Sequence, residues 1–175
     1  MKPWVKGVVI AVVHLGLVAS LGVKLLYDRA TRPRGWALTA PVDPDLPIRG
    51  RYVSLRLVVE PRGIPEPSPG RPRPSSQPVR LLVEDGRLSA EILPEGRERD
   101  AGTPRLRFQE RQGQRLAVLE QPVAFFIPEH VPDPSRLPPG EELWVEVTLP
   151  GKGPPRPIRL GKRQGDGAIT PLGLR

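Results

Sequence analysis

The side chains able to do covalent chemistry are few and poorly framed. Hydrolysis by a nucleophile needs a hydroxyl or thiol beside a base. Beyond residue 35 the serines are Ser54, Ser68, Ser75, Ser76, Ser89 and Ser135, and cysteine is absent. The histidines are His14 and His130. A Ser–Lys pair would have to use Lys152 or Lys162. No nucleophile-elbow or phosphate-loop pattern surrounds any of them. Glu129 and His130 are adjacent, and neighbouring side chains on an extended segment point apart. With no cysteine and no second histidine nearby, they do not make a zinc set. Asp85, Glu91, Glu95, Glu98 and Asp100 are dispersed among arginines and read as a solvated surface. No catalytic residue, metal ligand or cofactor site is therefore assigned. A membrane-tethered hydrolase or peptidase-like domain is the alternative, and it requires a polar cluster around Ser54, Ser89 or His130.

The stretch that must position everything else is Gly7–Val23, GVVIAVVHLGLVASLGV, uncharged and bounded by Lys6 and Lys24. A bilayer core takes about 20 apolar helical residues. Val5–Leu26 supplies that length if the two lysines reach for the interface, and Trp4 and Tyr27 fall where amphipathic aromatics settle. A cleaved signal peptide competes: Lys2 and Lys6 precede the apolar run, and Val18-Ala19-Ser20 resembles a cleavage site. The apolar character resumes through Leu25-Leu26, which favours an uncleaved anchor over residues 1–27. Without an ionisable partner in the segment, His14 reads as a tolerated neutral imidazole.

The net charge of +8 is unevenly placed. Residues 1–35 carry six Lys/Arg against one acid, and the remaining 140 carry 21 against 18. Lys24, Arg29, Arg32 and Arg34 follow the apolar run and suit anionic head groups. Nucleic-acid binding wants a basic face with stacking aromatics. The chain has three tryptophans, two tyrosines and three phenylalanines, and Trp4, Tyr27 and Trp36 precede position 37. No nucleic-acid partner is expected. By the positive-inside count the domain would be cytoplasmic, whereas a short basic amino terminus before an apolar run is the form of exported signal anchors.

Twenty-five prolines and 18 glycines gather mostly in connections. Residues 28–47, with Pro33, Pro41, Pro44 and Pro47, read as a semi-rigid linker. Residues 48–175 read as a mostly β domain with a Pro-rich loop at 61–77. Arg51–Glu60 alternates Val53, Leu55, Leu57 and Val59 against polar neighbours, the pattern of a half-buried strand. Val79–Glu84 and Arg87–Leu93 form a hairpin around Asp85-Gly86, a dipeptide suited to a type I′ turn. A second hairpin joins Arg105–Glu110 to Gln114–Glu120 through Arg111-Gln112-Gly113. Val123–Ile127, Glu141–Leu149, Arg156–Leu160 and Ala168–Thr170 are further strands, and a short helical turn is expected near Ser135–Leu137. Strands this short and evenly spaced predict a mainly β fold: a small antiparallel β-sandwich or partly open barrel preceded by one transmembrane helix.

The segment IRGRYVSLRL, Ile48–Leu57, resembles the signature of the GDYXXLXY family of bacterial membrane-anchored proteins. Gly50, Tyr52 and Leu55 match it; Arg51 stands in place of aspartate and Leu57 in place of the second tyrosine. AFFIPE, Ala124–Glu129, is similar to the family's aromatic strand ending in glutamate, and a strand like LWVEVTL follows. The resemblance implies an amino-terminal anchor, a small β domain, no assigned catalytic residues, and companionship with multi-pass membrane proteins. Leu57 keeps the burial of the tyrosine it replaces, and Tyr52 lies on the opposite face, where its hydroxyl could meet a partner. The expected function is that of a membrane-anchored, non-enzymatic β domain. It would support or bind a membrane-protein or envelope partner at the bacterial inner membrane, with the domain extracytoplasmic.

Overall fold

The computed structural model of the protein describes residues 3–40, 52–63, 75–94, 102–111, 113–151 and 153–173. The chain divides into two compact units, Met1–Arg32 and Pro33–Arg175.

The first unit is one helix, α1, Pro3–Thr31. Proline suits a first helical position, where its missing N–H leaves no bond unmade. At about 1.5 Å per residue the helix is about 44 Å long. Its apolar stretch long enough to cross a membrane is Trp4–Asp28. The large apolar side chains from Val8 to Leu26 are exposed around the whole circumference. Three polar side chains turn back onto their own helix. His14 donates from Nδ1 to the Ile10 carbonyl at 2.8 Å, Ser20 Oγ to Leu17, and Thr31 Oγ1 to Tyr27. Such back-bonding removes the cost of an unpaired polar group. The helix ends a turn later than expected. The Asp28–Arg32 pair at 3.2 Å spans its last turn, and Pro33 stops it.

The second unit is mainly β: a six-strand mixed barrel with added strands. The linker expected over 28–47 is instead strand β1 across Arg34–Ala40. Arg34–Ala40 is free of proline, and it buries Gly35, Ala37 and Ala40, residues too small to announce a core face. The part of that linker after Ala40 lies outside the described residues. The strands that follow are β2 Tyr52–Val58, β3 Glu60–Arg62, β4 Ser76–Glu84, β5 Arg87–Ile92 and β6 Arg105–Arg111. They are completed by β7 Gln114–Leu119, β8 Val123–Phe126, β9 Glu141–Thr148, β10 Arg156–Gln164 and β11 Thr170–Pro171.

The ring runs β1-β2-β7-β6-β4-β5 and returns from β5 to β1. Closure is parallel, Trp36 opposite Arg87, with the Trp36 amide donating to the Gly86 carbonyl at 2.8 Å. β3 also runs parallel to β5, so the sheet is mixed where only antiparallel pairing was expected. β9, β10 and β11 extend outward from β1, and β8 pairs with β2. The ends of the expected loop at 61–77 are strand: Pro61-Arg62 belongs to β3 and Ser76-Gln77 to β4. The Asp85-Gly86 turn is as expected, with φ of 48° and 73°. Around Ser135–Leu137 there are turns and no helix.

Leu55, Leu57, Val79, Leu88, Leu106, Val145, Val147 and Leu160 meet in one core. Each side chain of this kind contributes about 1.5–3 kcal/mol when fully buried. Gly161 on β10 is fixed by packing: a Cβ there would lie 2.8 Å from Ile169 and 2.9 Å from the Trp36 ring.

Candidate functional site

Two outer faces of the barrel unit bring charged and aromatic side chains together, and they differ in how completely those side chains are paired.

The first face is on β1, β9 and β10. On β9 the core side is Leu143, Val145 and Val147; Trp144, Glu146 and Thr148 point the other way and are buried as well. Register sets Glu142 opposite Arg163, Trp144 opposite Gly161, and Glu146 opposite Arg159. Arg163 stacks on Trp144 at 4.5 Å from the ring centre and donates from Nε to Glu142 at 3.0 Å. Trp144 Nε1 donates to the same carboxylate at 3.1 Å. Arg159 lies 5.4 Å over Trp36 and pairs with Glu146. Each of these two arginines thus has a ring and a carboxylate. Cation–π contacts contribute about 0.5–1 kcal/mol each when exposed. The face is an internally satisfied ladder that covers β9.

The second face is on β2, β8, β7 and β6. Residues directly opposite on paired strands share a face. Tyr52 is opposite Phe126 and Ser54 opposite Ala124. The two aromatic rings meet edge to face at 6.1 Å and 62°, and Phe126 is 77% exposed. Further along β2, Val58 is opposite Val118, which is opposite Arg107. Arg56, Arg107, Gln109, Val118, Leu119 and Glu120 line a recess of about 30 Å³. That is room for about one water, not for an enclosed substrate. Glu120 lies 3.9 Å from Arg105 and 3.8 Å from Arg107. Arg105 also donates from Nε to Ser76 Oγ at 2.6 Å. Arg56 is exposed and forms no ion pair among the described residues. Among the described residues, Arg105 and Arg107 therefore share the Glu120 carboxylate, while Arg56 lines the same recess without an ion pair.

The motif positions divide. Leu55 is buried in the core and Tyr52 faces outward at the aromatic pair. Gly50 and Arg51 lie outside the described residues. The two segments that carry the family resemblance, around Tyr52 and Ala124–Glu129, are joined through the β2–β8 pairing.

The hydroxyls and bases are spread. Ser54 is half-buried on β2, Ser89 is buried on β5 opposite Leu82, and His130 is exposed between β8 and β9. No hydrogen bond joins any two of these three. Ser135 bonds Asp133 at 2.7 Å, and Lys162 donates to Glu141 at 3.1 Å. Ser68 and Lys152 lie outside the described residues. Among the described residues no three His, Asp or Glu side chains form a group able to hold a metal ion. Sequence reasoning did not single out Arg56, Arg107, Glu120 or Phe126 as a unit. They sit on β2, on β6, just past the end of β7 and on β8, and only register assembles them.

Comparison with protein-family models, with curated proteins and with solved structures finds no match.

Proposed function

We propose that the protein is a membrane-anchored, non-enzymatic β domain that supports or binds a membrane-protein or envelope partner. The observation that carries this is α1. A helix with its large apolar side chains exposed on all sides is not stable in water. A bilayer satisfies it, because the backbone bonds are internal and the polar side chains are bonded to the helix itself. Two residues, Arg32 and Pro33, separate the end of α1 from β1. The barrel has a core of its own, so the helix is not needed to complete it.

The resemblance of the β2 segment to the GDYXXLXY signature supports a bacterial inner-membrane setting with the barrel extracytoplasmic. Arg51 and Leu57 depart from the signature, and Leu57 is buried, so its substitution preserves the core role.

Co-purification from native membranes in mild detergent tests the binding role. A membrane protein recovered with the wild-type chain, and lost when the barrel is unfolded by a core substitution, is the expected result. Recovery of the chain alone contradicts it. A reporter active only outside the cytoplasm, fused at Arg175, is expected to be active.

A further inference from the structure

We infer that the outer face of β2, β8, β7 and β6 docks an acidic segment of a protein partner. One apolar side chain would seat against Tyr52–Phe126, and a carboxylate would sit at the mouth of the recess that Arg56 and Arg107 line. This rests on the partner-binding function proposed above and names the surface and the chemistry it selects.

The charge balance of the face carries the inference. Among the described residues, Arg105 and Arg107 lie near 4 Å from Glu120, and Arg56 lines the same recess with no ion pair of its own. A second carboxylate would complete what the first leaves unmatched, as the paired ladder on β9 and β10 is already completed by Glu142 and Glu146. Arg56 and Arg107 line the same recess, so an incoming carboxylate can reach both. Two charge-assisted contacts of this kind bind more strongly than neutral ones.

The aromatic pair supplies the apolar half. Tyr52 and Phe126 share the face with Arg56, because Tyr52, Ser54 and Arg56 alternate outward on β2. Exposed aromatics beside arginine make up the composition of interface anchors. Other anions fit less well. A phosphate chain brings no apolar side chain to seat against the aromatic pair. The two rings are locked edge to face with each other and offer no parallel platform for stacked bases.

The test uses the full chain in neutral-lipid nanodiscs and a fluorescein-labelled peptide of alternating leucine and glutamate. Binding is read by anisotropy, with the leucine–glutamine analogue as control. The wild type is expected to bind the acidic peptide and not the analogue. Arg56→Glu with Arg107→Glu is expected to weaken binding about tenfold or more, and Phe126→Ser about tenfold. All of these positions are exposed, and unchanged circular dichroism checks that each variant folds. Three results overturn the inference. The peptide and its analogue bind alike, the variants bind like wild type, or a single-stranded oligonucleotide or a phosphatidylglycerol vesicle shows the same loss in the variants while the peptide does not. Co-purification separates this surface from the broader function. A partner retained by all three substitutions leaves the binding role and removes the surface, whereas no partner with the wild type removes the role itself.

Discussion

Leucine and valine do opposite things in the two units of this chain. In α1, Leu15, Leu17 and Val18 are 63–75% exposed; in the barrel, Leu57, Leu106 and Val145 are fully buried. The side chains are the same, and their arrangement differs. On β2 the apolar residues alternate with polar ones, so one face can be hidden and the other hydrated. On α1 they occupy every side, so no single packed face can hide them. The barrel unit buries its leucines within itself, and the helix does not.

The largest expected difference between the units follows from deleting one leucine in each. Leu57→Ala should destabilise the barrel by about 2–5 kcal/mol, read as a lowered urea midpoint. Leu17→Ala should leave that midpoint unchanged. Equal shifts would break the comparison. A charge sharpens it: Leu17→Arg should lower membrane insertion by about 3 kcal/mol, measured as the fraction of chain inserted into microsomes, with the barrel's unfolding unaltered. A smaller effect belongs to the packing of β10 on β1. Gly161→Ala drives a Cβ into the Trp36 ring and Ile169, at a cost of about 1–3 kcal/mol, seen as a lower Tm and a changed tryptophan spectrum. The smallest concerns the outer ladder. Arg159→Ala removes a ring contact and the pair with the buried Glu146 carboxylate, and should cost about 1–2 kcal/mol, part of it sensitive to salt.

What was legible in the sequence was local. The alternation of Val53, Leu55, Leu57 and Val59 marked β2, and Asp85-Gly86 marked the first hairpin, because both depend on residues within a few positions of one another. The mainly β class followed. β1 was not legible, since its buried positions Gly35, Ala37 and Ala40 contribute little hydropathy and neighbouring prolines masked the segment. Barrel closure was hidden for another reason. The parallel contact of Trp36 with Arg87 joins positions 51 apart and leaves no periodic trace. The arginine face was hidden in the same way: Arg56, Arg107 and Glu120 share no spacing, and become neighbours only once β2, β7 and β6 are in register. Tyr52 was visible as a motif position, while its pairing with Phe126 was not.

The central claim is that α1 stays in the chain and in the bilayer. Washing membranes that contain the full-length protein with alkaline carbonate, and then measuring the intact mass of the retained species, tests this directly. Retention in the membrane pellet at the mass of all 175 residues is the predicted result. Release into the supernatant, or recovery of a soluble species shortened from its amino terminus, would contradict it.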